Sequence, residues 1–224
     1  MDSIHKYNLK GELVEPWEDG YYSVTTILDI RHMHKLWQWR MSVGWEEANR
    51  KGKEAAELGN KVHKYIHGEL TGDWGLQEYT ADMQPYVKGW ENWQEKVEPE
   101  TIDSELFLIS HRHKYAGTGD WVGMINGELW IVDYKSGSKS INHGLQLAAY
   151  RQAYKEMTGK IAKTACLYLT PKTNKGWQWR VYNEPVKPFL AAKTLFDWQV
   201  KHEPHRKPET AYVGGMLYVT DSAV

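Results

Sequence analysis

The sequence predicts an α/β fold, a central mixed β-sheet flanked by α-helices, and three stretches carry that expectation. Asn126-Gly127 divides two alternating apolar runs in DWVGMINGELWIVDYK, residues 120–135. Both central residues of a type I′ turn need positive φ, which Asn-Gly tolerates, so this run is read as a tight antiparallel hairpin. Ala55, Leu58, Val62 and Ile66 recur at helical spacing within a stretch from Trp45 to about Leu70. A helix from about Asn142 to Met157 precedes an apolar strand, Ile161 to Thr170, and a helix between strands implies a crossover and a parallel pairing to the hairpin.

In chain order, residues 1–22 read as polar coil punctuated by Pro and Gly, with at most a short strand or hairpin. Ser23 is expected to cap a helix running to about Arg40, with Val24, Ile27, Leu28, Leu36 and Trp37 as its apolar positions. Arg31, His32, His34, Lys35 and Arg40 make that helix basic, a face suited to phosphate or to solvent. On the following helix His63 and His67 stand one turn apart, a spacing that zinc accepts, although no Cys or carboxylate motif completes such a set. Gly59, one turn before His63, would allow another backbone or a substrate to approach closely. A helix from about Tyr79 to Val97 is built on Met83, Tyr86, Val87, Trp90 and Trp93 and is ended by Pro99. Ile102 to Ser110 then alternates as a strand, with Glu105 as the polar exception.

The two-residue turn at Asn126-Gly127 fixes the register of the hairpin. Val122 faces Ile131, and Asp120 comes to lie opposite Asp133, with Cβ atoms roughly 4.5–5.5 Å apart. Alternation places Leu129, Ile131, Asp133 and Lys135 on the face shared by Met124, Val122 and Asp120. At an effective dielectric near 20, two negative charges about 5 Å apart repel by roughly 3 kcal/mol. A divalent cation offsets that most directly, since Mg²⁺ takes hard oxygen ligands from one or two carboxylates. The alternative is a pair of solvated acids with Lys135 as an edge-strand charge. If the preceding turn centres on Arg112-His113, Glu105 opposes Asp120 in the same way, and Arg112, His113 and Lys114 stand at the far tip.

After Lys135, residues 136–140 form a loop, and Gln146 and Tyr150 share one face of the next helix. Trp177 to Tyr182 returns as an edge strand, a helix from about Val186 to His202 covers the sheet, and the terminal VGGMLYVTDSAV adds a strand or stays loose. A chain of 224 residues fits a single domain, 1–224, with a helical part over about 23–98 and a sheet core over about 102–182. No run reaches the length of a membrane span and the N-terminus lacks the apolar core of a signal peptide, so a cytoplasmic location, in a bacterial or phage-infected cell, is expected. The lone Cys166 excludes an internal disulfide and a four-cysteine iron-sulfur cluster. Net charge is −1, so any nucleic acid must be held by a local basic patch. Twelve Trp and fourteen Tyr against three Phe supply rings able to stack on unpaired bases, although core and rim packing is expected to take up most of them.

Asp120, then Asp133-Tyr134-Lys135, then Gln146-Leu147-Ala148-Ala149-Tyr150 resemble, in order and spacing, the PD-(D/E)XK nuclease superfamily in its RecB-like branch. Gly59-Asn60-Lys61-Val62-His63 is similar to the G-x-x-x-H helix motif of that branch, and Ser23-Val24-Thr25-Thr26-Ile27-Leu28 to the opening segment of its phage and mitochondrial single-strand DNA exonucleases. The resemblance covers roughly residues 20–155 and implies a restriction-endonuclease-like core. It further implies that His63, Asp120, Asp133 and the carbonyl of Tyr134 hold Mg²⁺ or Mn²⁺, with Glu105 supporting them. Lys135 would orient or deprotonate the attacking water, or neutralise phosphoryl charge. Gln146 and Tyr150 would contact substrate phosphate or orient Lys135, and Arg151, Ser23 and Arg31 would extend the DNA surface. The activity implied is exonucleolytic hydrolysis of single-stranded DNA ends, in recombination, repair or phage replication, alongside a recombinase or single-strand-binding protein. The competing expectations are a structure-specific endonuclease of the same fold, a catalytically silent DNA-binding module, and a zinc protein using His63 and His67.

Overall fold

The structure is a computed structural model that describes residues 4–30, 34–75, 79–205, 209–213 and 216–220. An eight-stranded mixed sheet runs through it. β1 (Lys6–Tyr7) and β2 (Leu13–Val14) pair antiparallel, and β3 (Tyr21–Ser23) joins β1. The long strands β4 (Glu100–Ser110), β5 (Tyr115–Ile125) and β6 (Glu128–Lys135) are antiparallel neighbours. β7 (Lys163–Leu169) pairs parallel to β6, as the crossover requires, and β8 (Trp177–Tyr182) closes that edge. The mixed α/β architecture expected from the sequence is the one observed.

Asn126 and Gly127 adopt φ of 52° and 75°, the positive values that the tight turn demands. The β5–β6 register runs from Ile125↔Glu128 to Trp121↔Val132 and stops there, one step short of Asp120 and Asp133. On β5's same edge, β3 pairs parallel with Tyr115 and Ala116. Among the described residues β5 is therefore left without a ladder partner on this side between residues 117 and 120, and the sheet splits there. On its other edge the β4 register places Ser104↔Trp121 and Leu106↔Gly119, so Glu105 lies opposite Asp120 as expected. The turn between these strands is centred on Arg112-His113 but spans four residues, 111–114, with Lys114 at φ 56°.

The helices are α1 (Val24–Leu28), α2 (His34–Val43), α3 (Trp45–Thr71), α4 (Gln84–Val97), α5 (Ile141–Thr158) and α6 (Lys187–His202). The expected single helix from Ser23 to Arg40 is corrected: α1 ends at Leu28. Val24, Ile27 and Leu28 are buried, and continuing their stripe at 3.6 residues per turn would drive Arg31 and Lys35 into the core. Leu36 and Trp37 fall off that stripe, and Trp37 is exposed on α2. The stretch read as a helix from Tyr79 begins instead as a single 3₁₀ turn, Ala81–Met83, before α4, whose end is marked by left-handed Glu98 ahead of Pro99. The C-terminal stretch, expected to add a strand or stay loose, supplies β10 (Met216–Thr220), which pairs with β9 (Glu209–Val213) in a two-stranded ribbon.

Two cores sandwich the sheet. On one face Val122, Ile131, Leu147, Tyr150 and Phe189 pack with α1, α5 and α6. On the other, Val62, Ile66, Trp90, Trp93, Trp121 and Val132 pack with α3 and α4. Trp90 and Trp93 stack in this core with centroids 5.2 Å apart, whereas Trp17, Trp37, Trp39, Trp45, Trp74 and Trp198 are exposed, so core packing accounts for only part of the aromatic content.

Candidate active site

Asp120 sits at the split in the sheet, where its side chain replaces a missing ladder partner. The backbone N–H of Tyr134 donates to Asp120 Oδ2 at 2.6 Å, across the point where β5 and β6 part. α3 comes from the opposite layer to bring His63 Nδ1 within 3.4 Å of Asp120 Oδ1. Helical spacing explains its reach: Val62 and Ile66 are wholly buried beneath α3, which leaves the intervening His63 at the layer's rim. Glu105, from β4, completes a group. One ligand atom each from His63, Glu105 and Asp120 lie within 4.8 Å of one another.

Beside this group, on the same face as Val122 and Ile131, lies the second acid. Lys135 Nζ is 2.6 Å from Asp133 Oδ2, and Gln146 Nε2 donates to Asp133 Oδ1 at 2.9 Å and to the Tyr150 hydroxyl at 3.0 Å. Gln146 thus holds Asp133, the partner of Lys135, and Tyr150 braces Gln146. The Cys166 thiol, the β7 register partner of Asp133, stands 3.8 Å from its Oδ2. Burial drives that thiol far up, which makes it an inert neighbour.

The charges follow from this packing. Burial pushes Asp120 up, yet His63, Lys135 and the Tyr134 amide outweigh it and hold the carboxyl below its ordinary value. Burial would lower His63, but Asp120 raises it overall. Asp133, 2% exposed, is pushed up to about 6, by desolvation first and with Asp120 acting in the same direction against Lys135. Glu105 is pushed up to about 7, again by desolvation first and then by Asp120. Lys135 is raised despite its burial, because Asp133 and Asp120 face it.

The structure also shows where the other expected residues stand. The Ser23 hydroxyl accepts from the Thr26 amide at 3.0 Å as the cap of α1, and Ser23 is buried. Arg151 donates to the Glu184 carbonyl at 2.7 Å. Arg31 lies outside the described residues. His67 contacts Ser104 Oγ at 3.0 Å, and among the described residues the group of three metal-capable donors does not include it. Gly59 is used as a close approach, since a Cβ there would lie 3.1 Å from Ser136 Oγ on the loop after β6.

A cleft of about 770 Å³ opens over the group, lined by His63, Glu105 and Asp120 together with Lys61, Lys64 and Trp74. Sequence reasoning passed over these last three. Lys61 and Lys64 stand two residues before and one residue after His63, off its helical face, so periodicity did not single them out; Trp74 follows the helix in a loop and carried no signal. Gly117 was missed too: a Cβ there would approach Tyr150 Cε1 to 2.7 Å.

An α/β sheet split at one edge, with acids, a lysine and a histidine gathered at the split, defines a class of sites built for anionic substrates and cations. A family model, the PD-(D/E)XK nuclease superfamily, matches residues 31–211, and the chain belongs to that superfamily. It is also 28% identical over 108 residues to the CRISPR-associated exonuclease Cas4 of Francisella tularensis subsp. novicida (strain U112), covering 47% of this chain and 53% of that protein. The chain thus spans about half the length of the curated relative it matches. Among solved structures, a Eubacterium rectale protein bearing an exonuclease name aligns at TM-score 0.46 and 13% identity, over 68% of this chain and 69% of that one. SSO0001 aligns at TM-score 0.42 and 14% identity over 84% of each chain. Both likenesses are too loose to add to the family assignment.

Proposed function

We propose that the chain is a deoxyribonuclease dependent on Mg²⁺ or Mn²⁺, hydrolysing phosphodiester bonds from single-stranded DNA ends. The observation that carries this reading is the convergence of His63, Glu105 and Asp120 within 4.8 Å beside the Lys135–Asp133 pair. Two carboxylates and an imidazole suit a hard or borderline divalent ion. The fit is also electrostatic: Asp120 raises Glu105, and a cation between them would relieve that repulsion. This set puts Glu105 among the ligands. Asp133 joins it only by giving up Lys135 or Gln146, and the Tyr134 amide serves by fixing Asp120.

When bound, the ion would polarise a phosphoryl oxygen and acidify a water. The chain's own residues do the rest. His63 and the Tyr134 amide keep Asp120 ionised and oriented. Lys135, charged beside Asp133, offsets charge developing on the phosphoryl oxygens. Gln146, braced by Tyr150, keeps Asp133 aimed at Lys135. Phosphodiester hydrolysis needs little covalent chemistry from protein, which suits these side chains.

The setting we read with it is recombination, repair or phage replication in the cytoplasm of a bacterial or phage-infected cell, in company with a recombinase or single-strand-binding protein. Its support is the likeness of residues 23–28 to the opening segment of phage and mitochondrial exonucleases. The test is a gel of end-labelled single- and double-stranded DNA, linear and circular, with Mn²⁺ or with EDTA. Digestion of linear single strands alone, abolished by EDTA, is the expected result. Cleavage of circles would make the enzyme an endonuclease, and inertness of every substrate would leave a DNA-binding module.

A further inference from the structure

We propose that Trp74 is a specificity-determining residue, a stacking surface for one nucleobase beside the metal-capable group, so that the cleft selects unpaired nucleotides. The inference rests on the nuclease reading for the identity of the polymer, and it supplies the structural basis of a single-strand preference.

Trp74 lines the same cleft as His63, Glu105 and Asp120, and it is 49% exposed. The covered part of its ring is seated rather than loose. A Cβ at Gly68 would come 2.9 Å from Trp74 Cε3, so the bare glycine of α3 lets the indole lie against the helix backbone. Tyr65, less than one turn before Gly68, meets the indole at 5.3 Å and 68°. Tyr65 is in turn braced by Tyr79, with centroids 5.5 Å apart. A large ring fixed in this way offers contact area at little further cost in rotamer freedom.

The same helix supplies the other half of a single-strand site. Lys61 and Lys64, two turns and one turn before Gly68, line the same cleft on either side of His63. Cations suit the phosphates and the indole suits the base, the combination by which unpaired strands are held without sequence preference. A base within a duplex has both faces covered by its neighbours and cannot reach the ring without unstacking.

The test is fluorescence anisotropy in EDTA, so that no strand is cut, with a short labelled oligonucleotide and a duplex of the same length closed by hairpins at both ends. Trp74→Ala is expected to weaken single-strand binding about 5- to 150-fold, and Trp74→Phe, which keeps a ring, to recover most of it. Duplex binding should change less than about twofold in either variant. Moving a single abasic position along the strand should locate one site where wild type loses affinity and Trp74→Ala does not. Equal losses on both polymers, unchanged single-strand binding by Trp74→Ala, or no single-strand binding by wild type would each overturn the inference. The readout is independent of cleavage. Failure of wild type to cut DNA with Mn²⁺ removes the nuclease reading alone, and active cleavage with unaltered binding by the variant removes the stacking role alone.

Discussion

Lys135 Nζ lies 2.6 Å from Asp133 Oδ2, two residues apart on one face of β6, with the Asp133 side chain only 3% exposed. An i, i+2 pair on a strand shares a face, so D-x-K places its charges together with no help from the rest of the fold. The pair has a structural role as well as a chemical one. A buried carboxylate deprived of its cation is costly.

Lys135→Ala should therefore abolish cleavage and also destabilise the metal-free protein by about 3 kcal/mol, a fall in Tm of roughly 6–12 °C for a chain of this size. The stability loss should shrink as pH falls toward about 6, below which Asp133 is protonated with or without Lys135. Thermal scans across pH beside a DNA digestion assay check both. Undiminished digestion would remove Lys135 from the mechanism.

Glu105→Gln should separate stability from function. The folded chain holds the Glu105 proton up to about 7, above the ordinary 4.5 at which the unfolded chain releases it. The folded state therefore binds the extra proton in that window, and stability falls as pH rises through it. The variant escapes this loss. Glu105 is exposed, which screens the effect, so without metal the Tm of the variant should lie only slightly above that of wild type near pH 8 and match it near pH 5, while Mn²⁺-dependent cleavage falls. A variant less stable than wild type at the higher pH would contradict the assignment.

Gly117→Ala tests the support behind Asp133. Its Cβ would press on Tyr150 Cε1 at 2.7 Å and displace the hydroxyl to which Gln146 donates. Overpacking of this kind costs about 1–3 kcal/mol, and disturbing a supporting hydrogen bond should lower kcat/KM about 10–100-fold. Gly52→Ala in the exposed part of α3 meets nothing within 4 Å. It should raise stability by up to about 1 kcal/mol and leave kcat/KM alone. Equal behaviour of the two variants would refute the role given to Gly117.

How legible the site was depended on how local its determinants are. Asn126-Gly127 fixed the β5–β6 register as far as Trp121↔Val132, one step short of the expected Asp120–Asp133 pairing. The Glu105–Asp120 alignment followed from the same arithmetic even though Arg112-His113 is not a two-residue turn. What escaped was set by layers and loops. Nothing local says that Asp133 turns toward Lys135 and Gln146 while Glu105 joins His63 and Asp120, because that choice is made by α3 and α5 from opposite faces of the sheet. The break after Leu28 was visible only in the phase of the apolar stripe. Trp74 gained its place from Gly68 and Tyr65, a contact that composition cannot reveal.

Calorimetric titration with Mn²⁺ of wild type and Asp120→Asn bears most directly on the central claim, that the histidine and two acids at the split in the sheet bind a divalent ion. The account predicts saturable uptake by wild type and its loss in the variant with the fold retained. Equal uptake by both proteins, or none by wild type, would contradict it.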